Sequence, residues 1–308
     1  SSTGTVTFTR VTLSFNRNTS GGAAIYIGSD LSSVTLNDCT IGNNTSFSGA
    51  AILLNMGTTT VNITNCVFHN NTGAGGSGNG SNIQLNDFGS TMNLTSCTIR
   101  DNTGTGANHD GAGIGVGSGN LSAINCTFSG NTTNDDGGAL YWSSAGTLDL
   151  VNCTFVNNSA TGGVGGGIFL GSGGTRNLTN CLLANNTDNT GNNDIQSNGT
   201  ISANVTNLVE NCSGTCPTWS FTSDPNLAAA ATCGTPAQTH FVPQAPSDAL
   251  NNGTAPGGSI PATDICGTAV SGSKEIGSRE AAGVLPVELT FFKVQPDINQ
   301  SLLTWQTA

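Results

Sequence analysis

Residues 151–170 read VNCTFVNNSATGGVGGGIFL, and residues 124–142 read INCTFSGNTTNDDGGALYW. Both stretches contain Asn-Cys-Thr-Phe, then a polar segment, a glycine cluster and an apolar pair. A catalytic motif needs to occur only once in a chain, whereas a phrase that recurs at a fixed period is typical of repeat architecture. This phrase therefore decides the fold.

The repeat extends through most of the 308-residue chain. Its period follows from six cysteines that lie 27, 31, 29, 27 and 28 residues apart: Cys39, Cys66, Cys97, Cys126, Cys153 and Cys181. A large apolar residue comes two positions after each cysteine, and Asn comes three positions after that. In a seventh repeat without a cysteine, we expect Leu13 at the cysteine position, followed by Phe15 and Asn18.

Each repeat also contains three short stretches in which apolar residues alternate with other residues. Examples are Val61 with Ile63, Cys66 with Phe68, and the Ile-Phe-Leu that ends the opening phrase. Such alternation predicts short strands with one buried face. Three strands and three turns in about 28 residues fit one coil of a parallel β-helix, because a propeller blade takes about 40 residues. We expect an all-β rod of seven or eight coils, roughly 35–40 Å long.

The β-helix interpretation assigns a position to each part of the phrase. The Cys and Phe side chains point inward and stack on their equivalents in neighbouring coils. The residue before each cysteine, usually Asn, occupies a tight bend, because Asn tolerates positive φ and its amide bonds backbone groups and neighbouring coils. The glycines form the third corner. Arg176 falls at an inward position equivalent to Val61, which predicts a local shift of register.

The ten cysteines divide into two groups. The six of the repeat are expected to be reduced and buried, because stacked coils hold their Cβ atoms about 4.8 Å apart, beyond the usual disulfide spacing. Structural zinc is disfavoured because it prefers close Cys pairs. The other four lie where the repeat ends, and we expect disulfides between Cys212 and Cys216 and between Cys233 and Cys266.

Composition excludes some partners. The net charge is −11 and only 8% of residues are charged, with seven scattered Lys and Arg. Nucleic acids and anionic membranes need clustered basic residues, so neither is expected as a partner. No apolar run approaches the ~20 residues of a membrane-spanning helix, so no membrane insertion is expected.

Two groups of side chains are candidates for chemistry. His69 and Arg100 lie at outward positions of neighbouring coils and Asp101 follows Arg100, although a solvated surface is the more ordinary interpretation of such a group. The variable loops before the glycines carry Asp110 and the pair Asp135–Asp136 on adjacent coils, a weak candidate for Ca²⁺. The alternative is a solvated acidic edge, to which Asp188 and Asp194 also belong.

An ice-binding face is one interpretation of the outward threonines of the cysteine segment. Such a face needs regular ranks of Thr, and Val67 and Leu182 interrupt the rank on that segment. The cysteine segment therefore does not favour ice binding.

Three segments resemble known families. GGGIFL at residues 165–170 and TRNLTNCLLANNT at residues 175–187 resemble the right-handed parallel β-helix repeats of bacterial surface proteins, including polymorphic outer-membrane and adhesin-like families. GTPAQTH at residues 234–240 and IGSRE at residues 276–280 resemble the closing module of such proteins. LPVELTFFKVQPDINQSLLTWQTA at residues 285–308 resembles the segment before the sorting domain of type IX secretion cargo.

The repeat and the resemblances predict a β-helix at residues 1–210 and a disulfide-stapled irregular cap at 211–283. Apolar residues alternate at 287–294 and 301–307, which predicts a hairpin within residues 284–308. The hairpin is expected to begin a β-sandwich, to pack on the last coil, or to pair with a second copy. We expect a secreted or cell-surface structural or adhesive protein that contacts a surface, a glycan or itself. The alternative is a polysaccharide lyase or glycoside hydrolase with a groove on the β-helix, which needs convergent carboxylates.

Overall fold

The computed structural model describes residues 4–28, 31–55, 57–74, 78–79, 82–106, 108–255, 260–270, 274–281, 289–296 and 301–307. Every regular element in these ranges is a β-strand. The strands stack coil on coil, mostly in parallel, into a solenoid of about seven coils. The all-β parallel β-helix predicted from the repeat is therefore confirmed. In the described part of the chain, no helix is long and apolar enough to cross a membrane.

The sheet that follows the cysteines, here called the Cys sheet, has eight parallel strands. They are Thr12–Ser14, Thr40–Gly42, Val67–His69, Thr98–Arg100, Thr127–Ser129, Thr154–Val156, Leu182–Ala184 and Leu208–Val209. The middle residue of each three-residue strand points into the core, so neighbouring coils stack equivalent side chains.

A fourteen-stranded sheet contains two stacks that share the long strands Ile83–Thr95 and Ile114–Ile124. The stack after the glycines, the glycine-corner stack, adds Ile25–Ile27, Ile52–Leu54, Leu140–Trp142, Ile168–Leu170, Ile195–Ser197 and Cys212–Gly214. The stack before the cysteines, the rank sheet, adds Gly4–Thr9, Leu31–Asn37, Thr60–Thr64, Thr147–Val151, Thr175–Thr179 and Ala203–Val205.

Short strands complete each coil. One sheet contains Thr45–Ser46, Thr72–Gly73, Thr103–Gly104, Thr132–Thr133, Ser159–Ala160, Thr187–Asp188 and Gly191–Asn192. Three further pairs are Gly78–Asn79 with His109–Asp110, Ala231–Cys233 with Gln238–His240, and Leu289–Pro296 with Ser301–Thr307. The last pair is the antiparallel C-terminal hairpin that the alternation predicts.

The core is a stack of identical positions. The six cysteines of the repeat are free thiols and buried, as expected. On two adjacent coils, the rings of Phe128 and Phe155 lie parallel, with centroids 4.4 Å apart and an interplanar angle of 2°. Burial raises the pKa of the Cys97 and Cys126 thiols well above the ordinary value, so these sulfurs behave as small apolar groups. The packing thus follows directly from the repeat.

The residue before each cysteine adopts a left-handed backbone, with φ between 51° and 55°, as the sequence predicts: Asp38, Asn65, Ser96, Asn125, Asn152 and Asn180. These side chains also bond from coil to coil. The amide of Asn152 donates to Asn125 Oδ1 at 3.0 Å, and that of Asn180 donates to Asn152 Oδ1 at 3.1 Å. The same residue therefore forms the bend with its backbone and the bond between coils with its side chain.

A second row of asparagines runs through the interior and is here called the interior Asn ladder: Asn44, Asn71, Asn102, Asn131, Asn158 and Asn186. Each Nδ2 donates to Oδ1 of the next member at 2.9–3.1 Å. The last amide, that of Asn186, donates to Asp194 Oδ1 at 2.7 Å. Asp194 is fully buried, so its expected place on a solvated acidic edge was wrong.

The first coil is shifted by two residues from the expectation. Leu13 pairs with Ile41, so it takes the apolar position rather than the cysteine position. Phe15, expected in the core, is 80% exposed in a left-handed turn with φ of 59°. Asn16, rather than Asn18, donates its amide to the interior Asn ladder. A slip of two residues leaves the inward and outward alternation unchanged, so periodicity alone does not detect it.

Arg176 lies inward without the expected shift of register. It pairs with Leu148 in an unbroken ladder and is 2% exposed. Its guanidinium folds back, and Nε and Nη2 donate to the Gly173 carbonyl at 3.1 and 2.9 Å. The next coil has Gly199 beside it, where a Cβ atom would lie 2.7 Å from Nη2. The glycine therefore makes room for the buried guanidinium.

Residues 221–255, 260–270 and 274–281 form an irregular segment, here called the cover, which lies along the side of the rod. It bonds the outward side chains of the Cys sheet: Thr239 N donates to Thr98 Oγ1 at 2.8 Å, and Ser278 N donates to Thr154 Oγ1 at 2.9 Å. Apolar residues such as Phe241 pack on Leu182 in a second small core. The outward Thr98, Thr127 and Thr154 of the Cys sheet are consequently buried.

Two disulfides fasten the end of the last coil and the cover. They join Cys212 to Cys216 and Cys233 to Cys266, as the sequence predicts. The cover also contains a buried charge cluster, in which Lys274 Nζ lies 3.1 Å from Glu280 Oε1. Burial and the neighbouring Glu280 raise the pKa of Glu275 to about 8.

Candidate functional site

A cleft of about 710 Å³ lies between the Cys sheet and the cover. Its floor is built from four successive coils, with Asp101, Ser129, Asn157 and Asn185 at equivalent or adjacent positions. Since coils rise about 4.8 Å each, the floor extends about 14 Å along the rod. The cleft therefore follows the rod axis, in the direction in which the repeat presents similar polar groups.

The roof of the cleft is apolar. It comprises Leu227, three consecutive alanines at residues 228–230, and Phe241, with Thr232 and Thr239 beside them. A polar floor under an apolar roof offers hydrogen bonds on one side and van der Waals contact on the other. This combination suits a narrow ligand with both hydroxyl groups and apolar faces.

Of the predicted group, Arg100 and Asp101 lie at one end of this floor, and His69 lies on the preceding coil. Arg100 Nη1 donates to Asp101 Oδ2 at 2.6 Å, and both side chains are partly exposed. Gly130, with φ of 64°, follows on the next coil, where a Cβ atom would lie 2.7 Å from Asp101 Oδ1. The missing side chain of Gly130 therefore makes room for the Asp101 carboxylate.

His69 pairs with Arg100 across the coils. Burial lowers the pKa of the His69 imidazole, and the nearby Arg100 guanidinium lowers it further. The ring is therefore mainly neutral at pH 7. The structure brings the three residues together as predicted, but the carboxylate of Asp101 is engaged by an arginine rather than aimed at the histidine.

The acidic edge lies on a different side of the coil. The carboxylate oxygens of Asp110, Asp135 and Asp136 lie within 4.8 Å of one another, so the structure brings the predicted calcium ligands together. Burial raises the pKa of Asp110 to about 7, and the charges of Asp135 and Asp136 add to the rise. A divalent cation would relieve this repulsion. Calcium binding by these residues stays a prediction.

These carboxylates also have a structural task. Asp136 N donates to Asp110 Oδ1 at 3.3 Å, and Val164 N donates to Asp136 Oδ1 at 2.8 Å. Gly165 N similarly donates to Asp188 Oδ2 at 3.1 Å. Each carboxylate thereby satisfies a backbone amide in the turn of a neighbouring coil, which accounts for an acidic edge without an ion.

A third group contains Cys233, His240 and Cys266, whose ligand atoms also lie within 4.8 Å of one another. The two sulfurs are bonded to each other, and His240 Nδ1 is 3.5 Å from Sγ of Cys266. A disulfide does not offer thiolate ligands. This group therefore fastens the hairpin Ala231–Cys233 with Gln238–His240, which forms part of the cleft wall.

Sequence reasoning missed most of the cleft. Asn157 and Asn185 directly follow strands of the Cys sheet, and an Asn at that position indicates a left-handed turn. Both residues have such a backbone, with φ of 58° and 57°. The roof had no such signal, because an irregular segment without a period does not reveal which sheet it covers.

Residues 1–155, just over half of the chain, match the family described as the right handed beta helix region. The chain belongs to the right-handed β-helix family. No curated protein and no solved structure matches it significantly over its length. Right-handed β-helices occur among surface proteins and among polysaccharide-degrading enzymes, so the family alone does not select a function.

Within this right-handed β-helix, the family match ends inside the Cys-sheet strand Thr154–Val156. The later coils keep the same register, since Thr154 pairs with Leu182 and Leu182 pairs with Leu208. The cleft is formed by coils on both sides of that boundary, together with the cover.

Proposed function

We propose that this right-handed β-helix is a secreted or cell-surface protein with a structural or adhesive role, and that it holds a glycan chain in the cleft without cleaving it. The observation that carries this proposal is the form of the cleft, which runs along the rod between a row of polar side chains and an apolar roof. A linear ligand can lie in it across four coils.

The carboxylate count supports binding over cleavage. Glycoside hydrolases use two carboxyl groups about 5 to 9.5 Å apart on either side of the bond that they break. Among the described residues that line the cleft, Asp101 is the sole carboxylate, and Arg100 pairs with it. Binding therefore agrees better with these groups than hydrolysis does.

An extracellular location is supported by the two disulfides, since disulfides persist in oxidising compartments. The resemblance of residues 285–308 to type IX secretion cargo agrees with this location. Self-association through the two C-terminal strands and calcium at the acidic edge stay predictions of the same proposal.

The test is a glycan array together with a turnover screen on soluble and insoluble polysaccharides. We expect retention of at least one glycan and no product. The variant Ala229→Trp places a large ring in the roof of the cleft and should abolish retention. The matched control is Ala145→Trp, since Ala145 is also exposed but lies outside the cleft. Retention that is equal in both variants contradicts the cleft as the binding site, and product formation favours the enzyme.

A further inference from the structure

The outward side of the rank sheet carries a regular pattern of side chains. Its strands include TVTFT at residues 5–9, TVNIT at 60–64, TMNLT at 91–95 and TRNLT at 175–179. The apolar second and fourth residues point inward, with the inward Arg176 as the exception, so the first, third and fifth point outward. Parallel pairing places the equivalent outward residues of successive coils side by side, for example Thr60 with Thr91. The result is three ranks, here called the rank face. Thr, Asn and Ser fill all of its outward positions in residues 5–9, 33–37, 60–64 and 91–95, whereas Ile124 and Val151 interrupt the third rank on the next two coils.

The rank face is open. Its threonines at residues 60, 64, 91 and 95 are half-buried or exposed, whereas the outward Thr98 and Thr154 of the Cys sheet are buried under the cover. The hydrogen bonds that fix the cover go to the Cys sheet and to the bend beside it. Val151 is buried, so the free surface is the part of the rank face on the first four strands of the rank sheet.

The geometry of the rank face is a fixed two-dimensional grid. Outward residues repeat about every 4.8 Å across coils and about every 6.6 Å along a strand. Threonine side chains are stiff at χ1 because they branch at Cβ. Bonds between coils hold the central rank, since Asn93 Nδ2 donates to Asn62 Oδ1 at 2.9 Å and Asn177 Nδ2 donates to Asp149 Oδ1 at 2.6 Å.

The chemistry of the rank face selects its partner. Asp149 is the one ionisable residue at the outward positions of residues 5–9, 33–37, 60–64, 91–95, 120–124, 147–151 and 175–179, and none of these positions is aromatic. A charged partner finds no complementary charge there, and a sugar ring finds no aromatic platform to stack on. Each threonine offers one hydroxyl and one methyl group at grid spacing, which can hold a layer of ordered water.

We propose that the rank face binds ice. The hydroxyl and amide groups hold waters at repeating positions, the methyl groups restrict those waters between the ranks, and this layer joins the lattice of a growing crystal. Each contact is weak, so binding depends on the many coils that repeat it. On the first four strands of the rank sheet, Thr, Asn and Ser fill every outward position, whereas Val67 already interrupts the single rank of the Cys sheet on its third strand.

The test is to grow ice slowly on a cold surface from a solution of the purified full chain and to compare protein in the ice with protein in the liquid. Shaping of single ice crystals is recorded as well. We expect wild-type protein to enter the ice and to shape crystals. The variant Thr64→Tyr puts a bulky ring on the grid and should lose both effects. The control Thr222→Tyr alters an exposed threonine of the cover and should keep them.

Each outcome decides the proposal, once matching circular dichroism spectra and unfolding midpoints show that the variants fold. Exclusion of wild-type protein from the ice overturns it, and so does equal entry of wild type and Thr64→Tyr. Binding to crystalline cellulose or chitin that Thr64→Tyr abolishes, without any ice entry, replaces ice by a polysaccharide surface. Ala229→Trp in the cleft should leave ice entry unchanged, so failure of glycan retention does not affect this inference.

Discussion

The interior Asn ladder can be tested at Asn131, which lies near its middle. Its Oδ1 accepts the backbone N–H and the amide of Asn102 at 3.2 and 2.9 Å. Its Nδ2 donates to the Ile99 carbonyl and to Asn158 Oδ1, both at 2.9 Å. Replacement by Ala removes these four bonds inside a fully buried row.

The expected cost follows from the groups left without partners. Asn131→Ala leaves two donors on Asn102 and the Ile99 carbonyl with one bond fewer, and an unsatisfied buried polar group costs about 1–3 kcal/mol. We therefore expect a loss of roughly 3–6 kcal/mol in the free energy of unfolding. The measurement is urea-induced unfolding followed by circular dichroism, with midpoints and slopes compared.

The control is Asn134→Ala, in which an exposed asparagine with one long bond of 3.4 Å to Thr105 is truncated. Its expected change is within about 0.5 kcal/mol, as for ordinary surface substitutions. A second variant, Asn131→Asp, keeps both accepted bonds but loses both donated bonds. It should recover part of its stability at acidic pH, because a protonated carboxyl can donate one hydrogen bond. Equal midpoints for Asn131→Ala and Asn134→Ala would refute the reasoning.

Four further predictions concern the core, the thiols, the acids and calcium. Phe128→Ala should cost roughly 3–5 kcal/mol, because it removes a stacked core ring, whereas Phe88→Ala at an 81% exposed site should be near neutral in the same unfolding assay. Alkylation of the unfolded, unreduced protein should label six thiols by mass spectrometry, and no labelling would contradict the reduced ladder. Folding raises the pKa of Asp110 from 3.8 to about 7 and that of Glu275 from 4.5 to about 8. The protonated acids therefore stabilise the fold fully below pH 3.8 and 4.5, and this stabilisation is lost as the pH rises through the folded-state pKa values. The urea midpoint should be higher at about pH 5 than at about pH 8.5, and the reverse order would be inconsistent with these buried acids. Added Ca²⁺ should raise the thermal midpoint of wild-type protein but not of Asp135→Asn, and equal responses would rule out the acidic edge as the site.

The features that could be predicted from the sequence are those that repeat. The coil period, the inward cysteines and the left-handed residue at Asn125 or Asn152 all follow from one phrase, because every coil must satisfy the same steric and hydrogen-bonding conditions. The disulfide between Cys212 and Cys216 is equally local. Where the repeat lost its cysteine, in the first coil, the register was wrong by two residues.

The features that could not be predicted depend on single, non-repeating contacts. Neither Thr239 nor Ser278 carries a pattern that assigns it to Thr98 or Thr154, so the position of the cover was open. Asp194 looked like another loop acid because only the fold shows that it meets Asn186. The cleft depends on both kinds of contact, and its polar floor was more predictable than its roof.

The interior Asn ladder allows the rod to change its length between Asn44 and Asn186 but not at Asp194, where the ladder ends. Every member of the ladder accepts from one neighbour and donates to the other, so a coil inserted between Asn44 and Asn186 brings one acceptor and one donor and leaves no bond unmade. Asp194 is different, because one of its oxygens accepts from Asn186 and the other accepts from the backbone of Asn211 at 2.9 Å. An amide there would turn a donor toward a donor. Duplication of internal coils within the gene would thus lengthen the rod, while Asp194 would remain the last acceptor of the ladder.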